Sequence, residues 1–550
     1  MKCLGLITAI LLLSFFSSSA CATEYFVDTD GDDNNDGTSI DSPWRTLVYA
    51  ASSSQINPGD TVHVKAGTAD NDVYNGNVVF SRGGTSGSPV TFEGYVNTPG
   101  DTVELNYQLN DPLRAQVMPL FKGGDRAVGV AFDIKAPYVT IRNFQITEYS
   151  VAVQSWDADY HHAVLENIIA VTLGELGGAG GYKYSGKGIT LAHSSNNHIK
   201  NCIIVNANAE GISLVGNENL IENTRIYSNE VDESTGADGT DYYIVIKGNN
   251  NIVRGCYAER IVPDVVYNDP QYPHVGAGIG FKESAENNLV EDCVAKNLSG
   301  GFYVRWVGAR NNIFRRCKAY GSDFEYVNYT NNSSGGFICR NGAENNLFES
   351  CSSEGCTSAV QFYRSESEGA DDNSDYAALN NRFINCIFTN TKKSVIDFNP
   401  YSGNRPDDAI LNNSFINCII YKAKYLISSK RPNQGNKMIN CIVSDVETLQ
   451  DPGSSVALNF SFENSCCFNG FALPAGLGNI SKNPLFMNSF GNDFHLAAGS
   501  PCINAGKTSV SEAEKDRDGK KRPVGMAWDM GAYEYSKASS ILFLVIPAVF

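Results

Sequence analysis

The sequence predicts an all-β chain folded as a right-handed parallel β-helix, a single-stranded solenoid in which each coil adds one rung to long sheets. A seven-residue motif recurs along the chain, at intervals of 22 to 37 residues, and a second strand-like segment precedes most of its copies. Repeats of this length are typical of solenoids. β-branched residues punctuated by Asn and Gly favour strands over helices as the repeating element.

The motif is two asparagines, any residue, an apolar residue, two further residues and a cysteine. Its copies end at Cys202, Cys256, Cys293, Cys317, Cys351, Cys386, Cys418 and Cys441, with Thr224 in the Cys position of one coil. We expect the asparagines to tolerate left-handed backbone angles at a bend and to form an amide ladder there. We expect the cysteines to stack inside as free thiols. Cys466, Cys467 and Cys502 lie outside this stack and could be oxidised.

The second segment reads Gly, apolar, any, apolar, X. Alternation along a strand turns the two apolar residues inward and X outward. We expect these segments to pair as one parallel sheet, with the X residues aligned in a row. The row reads Ala192, Val215, Lys247, Lys282, Arg305, Arg340, Tyr363 and Asn399.

Four consecutive members of this row are basic. Adjacent like charges destabilise a sheet, so the row is either a solvated edge whose side chains fan apart or a binding surface for a row of anions. The second interpretation predicts an acidic polysaccharide along the helix axis. Lys247, Arg340, Tyr303 and Tyr363 are then substrate-binding residues.

Three insertions, at residues 228–242, 257–277 and 320–335, precede the basic strands and are predicted to form one wall of a groove. Their tyrosines could stack on sugar rings or pack within the loops; they are Tyr242, Tyr267, Tyr272, Tyr326 and Tyr329. We include Tyr272 and His274 among the predicted substrate-binding residues. Asp238 and Asp241 are candidate ligands for a cation, with calcium as the expected ion.

Residues 278–305 (GIGFKESAENNLVEDCVAKNLSGGFYVR) resemble the active-site coils of polysaccharide lyase family six, the alginate lyase and chondroitinase B type. The resemblance implies that Lys282 removes the C5 proton of a uronate and that Arg305 assists departure of the 4-linked oxygen. That family places acidic calcium ligands shortly before the lysine, where this chain has Val275, Gly276 and Ala277.

Without those acidic calcium ligands, either Lys247 and Arg340 neutralise the substrate carboxylate, or the enzyme interpretation is wrong. Residues 237–239 (ADG), followed by Lys247, also resemble the calcium-dependent pectate lyases of family nine, but the Asp pair expected one coil later is missing.

The chemistry of β-elimination makes matching demands. The C5 proton is weakly acidic, so the adjacent carboxylate must be neutralised and a base with a near-neutral pKa supplied. A lysine among other cations has a lowered pKa. Arginine is a poor proton donor, so Arg305 is assigned electrostatic stabilisation, with Tyr303 or a water as donor.

These arguments predict a polysaccharide lyase. The alternatives are a non-catalytic polysaccharide-binding adhesin on the same groove, or a C5-epimerase or glycoside hydrolase. A hydrolase requires two carboxylates flanking the bond, and the sheet face offers only Asp397.

Residues 1–22 form a predicted signal peptide, with Lys2, an apolar run and a small-residue cleavage site. A lipoprotein anchored through Cys21 is the alternative. Secretion or display at the cell surface follows from either. The net charge of −18 argues against nucleic acid and anionic membranes as partners.

The remaining chain divides into an N-terminal cap with the first coils (23–135), the parallel β-helix (136–480), a C-terminal module (481–535) and an apolar tail (536–550). The tail is too short to span a bilayer. The module resembles those of bacterial surface β-helix proteins and is expected to cap the open sheet end. Asp516, Asp518 and Asp529 within it could bind a structural ion.

Overall fold

The computed structural model describes residues 22–101, 107–175, 186–230, 240–261, 276–321, 335–364, 376–398, 409–508 and 513–536. Several predicted features lie outside the described residues: the signal peptide up to residue 21, most of the three insertions, and the tail from residue 537. The individual residues concerned are Asp238, Tyr267, Tyr272, His274, Tyr326, Tyr329 and Asn399.

The described strands form three parallel ladders of one continuous sheet of 36 strands, which confirms the predicted parallel β-helix. Most coils contribute one strand, or part of a longer strand, to each ladder, and successive coils pair in register. A helix at Leu47–Ser52 lies near the N-terminal end, with Thr46 as its N-cap. The first ladder carries the candidate site.

The first ladder contains Val78–Phe80, Val130–Ile134, Val151–Ser155, Lys187–Leu191, Glu210–Leu214, Tyr242–Ile246, Ala277–Lys282, Gly300–Arg305, Gly335–Arg340, Ser358–Tyr363 and the C-terminal parts of Ile387–Phe398, Ile419–Ser429 and Ile442–Gln450. The second contains Glu24–Val27, Thr61–Lys65, Val90–Tyr95, the N-terminal parts of Val139–Thr147 and Val164–Leu173, His198–Lys200, Leu220–Glu222, Ile252–Arg254, Leu289–Glu291, Ile313–Arg315, Leu347–Glu349, Arg382–Ile384, Ser414–Ile416, Asn436–Ile439 and Phe460–Glu463.

The third ladder contains Leu120–Lys122, the C-terminal parts of Val139–Thr147 and Val164–Leu173, Ile203–Ala207, Arg225–Ser228, Tyr257–Arg260, Val294–Lys296, Lys318–Tyr320, Ser352–Glu354, the N-terminal parts of the three long strands of the last coils, and Cys466–Phe468. A small parallel sheet at one bend contains Ala343–Glu344, Tyr376–Leu379, Ala409–Leu411 and Asn433–Gln434. An antiparallel pair, Phe486–Asn488 with Asp493–Leu496, and a short 3₁₀ turn at Ser489–Gly491 belong to the C-terminal module.

The two asparagines of the motif have different roles. The first asparagine has a left-handed backbone conformation, as Asn311 does with φ 57°. The second is buried and donates its side-chain amide to the same residue of the next coil, at 2.8 to 3.1 Å. This confirms the predicted amide ladder, whose members are Asn197, Asn219, Asn251, Asn288, Asn312, Asn346, Asn381, Asn413 and Asn436. Because the coils from Asn197 to Asn436 repeat these contacts, the ladder helps to fix their register.

The interior is apolar and contains the cysteine stack. All 13 described cysteines are buried free thiols, including Cys466, Cys467 and Cys502. The apolar residue of the motif forms a column of parallel aromatic rings in four successive coils, with centroids 4.8, 4.4 and 4.9 Å apart. Its members are Phe314, Phe348, Phe383 and Phe415. This close-packed interior supports the strands of the first ladder, so that side chains pointing outward from them start from a rigid backbone.

The C-terminal module lies along the side of the last coils and not over the open sheet end, so its predicted placement is wrong. Phe494, Leu496 and Met530 pack against Ile419 and Ile442 of the third ladder. The module buries these apolar side chains on the flank of the coils, and such burial is favourable. The end is paired instead with residues 477–480, whose carbonyls accept from Asn464 and Cys467.

The three aspartates proposed as ion ligands have other partners. Asp516 accepts from the Lys520 and Glu534 amides, and Asp529 from the Asn504 and Tyr535 amides. Asp518 contacts His495. Within the described ranges no group of three potential ligands converges on a point. No helix in the described part of the chain is long and apolar enough to cross a bilayer.

Candidate active site on the first ladder

The strand register aligns the predicted basic row. Lys282 pairs with Arg305, Arg305 with Arg340, and Arg340 with Tyr363. Lys247 precedes Lys282 in the row, because it follows Ile246, which pairs with Phe281. Successive members are therefore one rung apart, roughly 4.8 Å. The repeat pattern alone was sufficient to predict this alignment.

Two aromatic rings enclose the centre of the row. The Lys282 Nζ lies 4.0 Å from the ring centroid of Tyr242 and 4.6 Å from that of Trp306. The Arg305 guanidinium lies 4.5 Å from the Trp306 centroid, and its Nη1 donates to the Tyr242 hydroxyl. Such contacts stabilise cations that have lost water. Lys282 and Arg305 are only 7% and 5% exposed.

These surroundings change the acidity of Lys282. Burial, followed by the positive charges of Arg305 and Lys247, lowers its pKa to about 7, and the negative charges of Asp241 and Glu210 oppose this shift. Among the described residues, no carboxylate oxygen lies within 4.0 Å of the Lys282 ammonium. A lysine with a pKa near 7 has a substantial neutral fraction at neutral pH and can accept a proton.

Asp241 is the acidic neighbour of this cluster. Burial raises its pKa to about 6, while the positive charges of Lys282, Arg305 and Arg340 act in the opposite direction. The sequence predicted Asp241 as a calcium ligand together with Asp238, which lies outside the described residues. Three nearby cations disfavour a divalent ion beside this carboxylate, so the described residues do not fit the metal, and calcium stays a prediction.

The two outer cations are more exposed and have different partners. Lys247 Nζ lies 3.1 Å from the Glu283 carboxylate, a pair open enough to solvent to contribute little stability. Arg340 donates to the Tyr363 hydroxyl at 2.9 Å and lies over its ring. Both arginine and tyrosine of this second pair remain half-buried, so both can contact a ligand.

Tyr303 has a supporting role that differs from its predicted one. It is 2% exposed, and its hydroxyl donates to the Ile244 carbonyl at 3.2 Å. Burial raises its pKa well above the ordinary value for tyrosine. It packs with Val245 and Ile338 on the outward face of the first ladder. The alternation rule placed it correctly on this face but could not show that neighbouring side chains cover it.

Trp306 is a residue of the candidate site that the sequence analysis missed. It follows Arg305 directly and has φ 79°, a left-handed conformation that costs a tryptophan on the order of 1–3 kcal/mol. The residues after Lys282 and Arg340, Glu283 and Asn341, are left-handed too. A bulky ring in a position that favours Asn or Gly was the available signal, because such strain persists chiefly at functional sites.

Asp397, the carboxylate that the sequence suggested for a hydrolase, lies far from Lys282 and Arg305. Asp397 pairs with Gln361 and accepts from Ser358 at 3.3 Å. It lies five rungs from the coil of Asp241, roughly 24 Å along the axis. A hydrolase pair is about 5–10 Å apart, so these two carboxylates cannot flank one bond.

A family model of known proteins agrees with this fold. Residues 25–264 match the family model described as Pel9A-like, right handed beta helix region. No curated protein matches the chain in sequence. Among solved structures, pectate lyase Pel9A is 14% identical, with 94% of this chain and 97% of that chain covered and a TM-score of 0.37.

Two other solved structures are similar at the same low level. The alginate lyase from Paenibacillus sp. str. FPU-7 is 13% identical over 76% of this chain and 95% of that chain, with a TM-score of 0.33. The GH136 lacto-N-biosidase from Eubacterium ramulus is 16% identical over 80% of this chain and 68% of that chain, with a TM-score of 0.40. The chain is a right-handed parallel β-helix protein whose residues 25–264 match the Pel9A-like β-helix family.

Proposed function

We propose that this protein is an exported polysaccharide lyase that cleaves a uronate-containing polymer by β-elimination. The observation that carries the proposal is Lys282, a buried lysine whose pKa is lowered to about 7, between Lys247 and Arg305 in a row of cations. A base of this kind, next to groups that neutralise a carboxylate, meets both requirements of the reaction.

The residues of the basic row have different roles in the proposed reaction. Arg305 and Arg340 bind the carboxylate of the reacting sugar and stabilise the negative charge that develops on it. Neutral Lys282 accepts the C5 proton, so that the C5–H bond breaks. The electron pair forms the C4–C5 double bond, and the C4–O bond breaks.

The proton then reaches the departing oxygen from the Lys282 ammonium, directly or through water. Tyr303, the donor considered from sequence, is engaged with the Ile244 carbonyl and is buried. Arg305 holds the Tyr242 ring and hydroxyl in place beside the base. Each side chain therefore acts from a position that the strand register and aromatic contacts already fix.

Charge neutralisation by the basic row, and not by calcium, is part of the proposal. Asp241 lies among cations, so a calcium ion would have to overcome their repulsion. Activity should therefore survive a chelator. A strict calcium requirement would contradict this part of the proposal and would direct attention to Asp238.

The test is the ultraviolet absorbance of unsaturated product after the full chain is incubated with alginate, polygalacturonate, chondroitin and ulvan. We expect a rise on at least one polymer, and we expect Lys282→Ala to abolish it. Lys318→Ala is the matched control, because Lys318 is an exposed lysine on the third ladder. No rise on any uronate polymer would contradict the lyase proposal.

A non-catalytic binder of acidic polysaccharide is the second candidate. It is favoured by the difference in exposure along the row: the outer cations Lys247 and Arg340 are partly exposed, whereas Lys282 and Arg305 are buried. This candidate predicts binding that falls with Lys247→Ala and Arg340→Ala, with no turnover. A C5-epimerase would use the same base but would change the polymer without forming a double bond.

A further inference from the structure

A second aromatic side chain occupies the same row, far from Lys282. Trp156 follows Ser155, which pairs with Leu191, so Trp156 is aligned with Ala192. The register continues through Val215 to Lys247. Trp156 therefore lies four rungs before Lys282, roughly 19 Å along the helix axis.

Trp156 differs from the other tryptophans in its exposure. It is 55% exposed, whereas Trp44 and Trp528 are buried at 0% and 5%. Single exposed apolar residues are common and need no explanation. What distinguishes Trp156 is its alignment with the site. Ala192 and Val215, which lie between Trp156 and Lys247 in the row, have short side chains.

A charge pair lies beside the indole. Lys187 Nζ is 6.0 Å from the Trp156 ring centroid and 3.2 Å from the Glu210 carboxylate. Lys187 and Glu210 are paired on neighbouring strands, and both side chains are partly exposed. Their charges cancel locally, whereas cations predominate at the centre of the row.

We propose that Trp156, with Lys187 and Glu210, is a distal sugar-binding subsite on the same ladder as Lys282, and that it accepts a pyranose ring without requiring a carboxylate. The proposal rests on the proposed function for the identity of the polymer. The apolar face of a sugar ring stacks on the indole. The Lys187–Glu210 pair donates to and accepts from ring hydroxyls, which a neutral pair does better than an isolated cation.

The geometry also assigns the direction of the polymer. A chain that contacts both Trp156 and Lys282 must run parallel to the helix axis for about 19 Å, so only long substrates reach both points. Binding energy from this remote contact should improve the affinity for long polymers and leave the chemical step unchanged.

The experiment compares Trp156→Ala with the parent chain, using the most responsive polymer of the lyase panel. Binding is measured in a Lys282→Ala background by calorimetry, and turnover in the chain that keeps Lys282. We expect Trp156→Ala to raise the Kd and KM for polymer about 2- to 12-fold, the range for loss of one aromatic stacking contact. The kcat, and turnover of oligosaccharides too short to span about 19 Å, should not change.

Phe490→Ala is the matched control. Phe490 is an exposed aromatic residue with Lys422 Nζ 4.8 Å from its ring, in the C-terminal module. It reproduces the aromatic and lysine pair away from the basic row, so its removal should not affect binding. Added salt should weaken binding to the basic row but leave the ratio between Trp156→Ala and parent unchanged, because stacking is insensitive to screening.

The outcomes separate this proposal from the lyase proposal. Elimination with equal Kd and KM in Trp156→Ala and the parent would overturn the subsite and leave the lyase standing. Polymer binding that depends on Trp156, without double-bond formation, would support the subsite and contradict the lyase. A parent chain that neither binds nor cleaves any polymer of the panel would overturn both.

Discussion

Lys282 and Arg305 occupy directly paired positions on neighbouring strands, and both lie against the same two rings, Tyr242 and Trp306. Two cations one rung apart would ordinarily repel each other into solvent. Here the rings hold them together while burial removes water. The consequence is a lysine whose neutral form is stabilised in a surface that remains otherwise cationic.

The first prediction concerns the role of Lys282 as base. Lys282→Ala should lower kcat by at least about 10³-fold on the polymer that the parent cleaves, the upper part of the range for loss of a general base. Lys282→Arg should be equally inactive, because arginine keeps its proton. Product absorbance measures both. Activity in Lys282→Arg within tenfold of the parent would contradict the assignment.

The second prediction concerns the pH dependence of the parent. Since Lys282 acts in its neutral form, kcat/KM should rise with pH through about 7. Asp241 raises the pKa of Lys282, so Asp241→Asn should move this rise to lower pH. Asp292→Asn, at an exposed carboxylate paired with Arg316, is the control and should leave the profile in place. A profile that moves to higher pH in Asp241→Asn would contradict the electrostatic account.

The third prediction concerns Trp306. Trp306→Gly should move the rise of kcat/KM to higher pH, opposite to the effect of Asp241→Asn. Removal of the ring takes away a contact that favours the Lys282 ammonium, but it also readmits water. Because burial is the largest cause of the lowered pKa of Lys282, the second effect should dominate and raise this pKa toward the ordinary value for lysine. The free energy of unfolding should change by no more than about 1 kcal/mol, because release of the left-handed strain offsets the lost packing. pH–rate profiles and denaturant titrations measure these effects. An unshifted profile would show that Trp306 does not desolvate the base.

The fourth prediction concerns stability. The pKa of Lys282 is lower in the folded chain than in the unfolded chain. Below about pH 7 both states bind the proton, and the folded state carries the full cost of a buried ammonium. Between about pH 7 and pH 10 only the unfolded state binds it, so the folded parent gains stability as the pH rises.

Lys282→Met should therefore be more stable than the parent by up to about 5 kcal/mol below pH 7. The difference should shrink as the pH approaches 10. Denaturant titrations at several pH values measure it, with Lys318→Met, at an exposed position, as the control. A stability difference that grows with pH would contradict the lowered pKa.

The fifth prediction compares neighbouring asparagines. Asn312 donates to Ala285 and Asn346 and accepts twice from Asn288. Asn312→Ala should cost roughly 3–5 kcal/mol, because it leaves several buried polar groups without partners. Asn311→Gly should cost little, since Asn311 is exposed and has φ 57°, which glycine adopts freely. Equal effects of the two substitutions on thermal unfolding would contradict the separate roles.

The sequence determined the repeat, the register and the basic row. These follow from local rules: strand alternation turns residues in or out, and coils that repeat one motif must stack equivalent residues. Lys282, Arg305, Arg340 and Tyr363 were aligned correctly on that basis alone. The asparagine ladder and the buried cysteines follow from the same rules.

Only the tertiary structure decided how the row is surrounded. Three features depend on which side chains from different coils fill the same space. Tyr242 and Trp306 meet over Lys282, Tyr303 is covered by its neighbours, and the C-terminal module packs on the flank of the last coils. Distances across coils and loss of solvent are three-dimensional properties, and no period in the chain encodes them. The pKa of Lys282, and with it the proposed chemistry, depends on those properties.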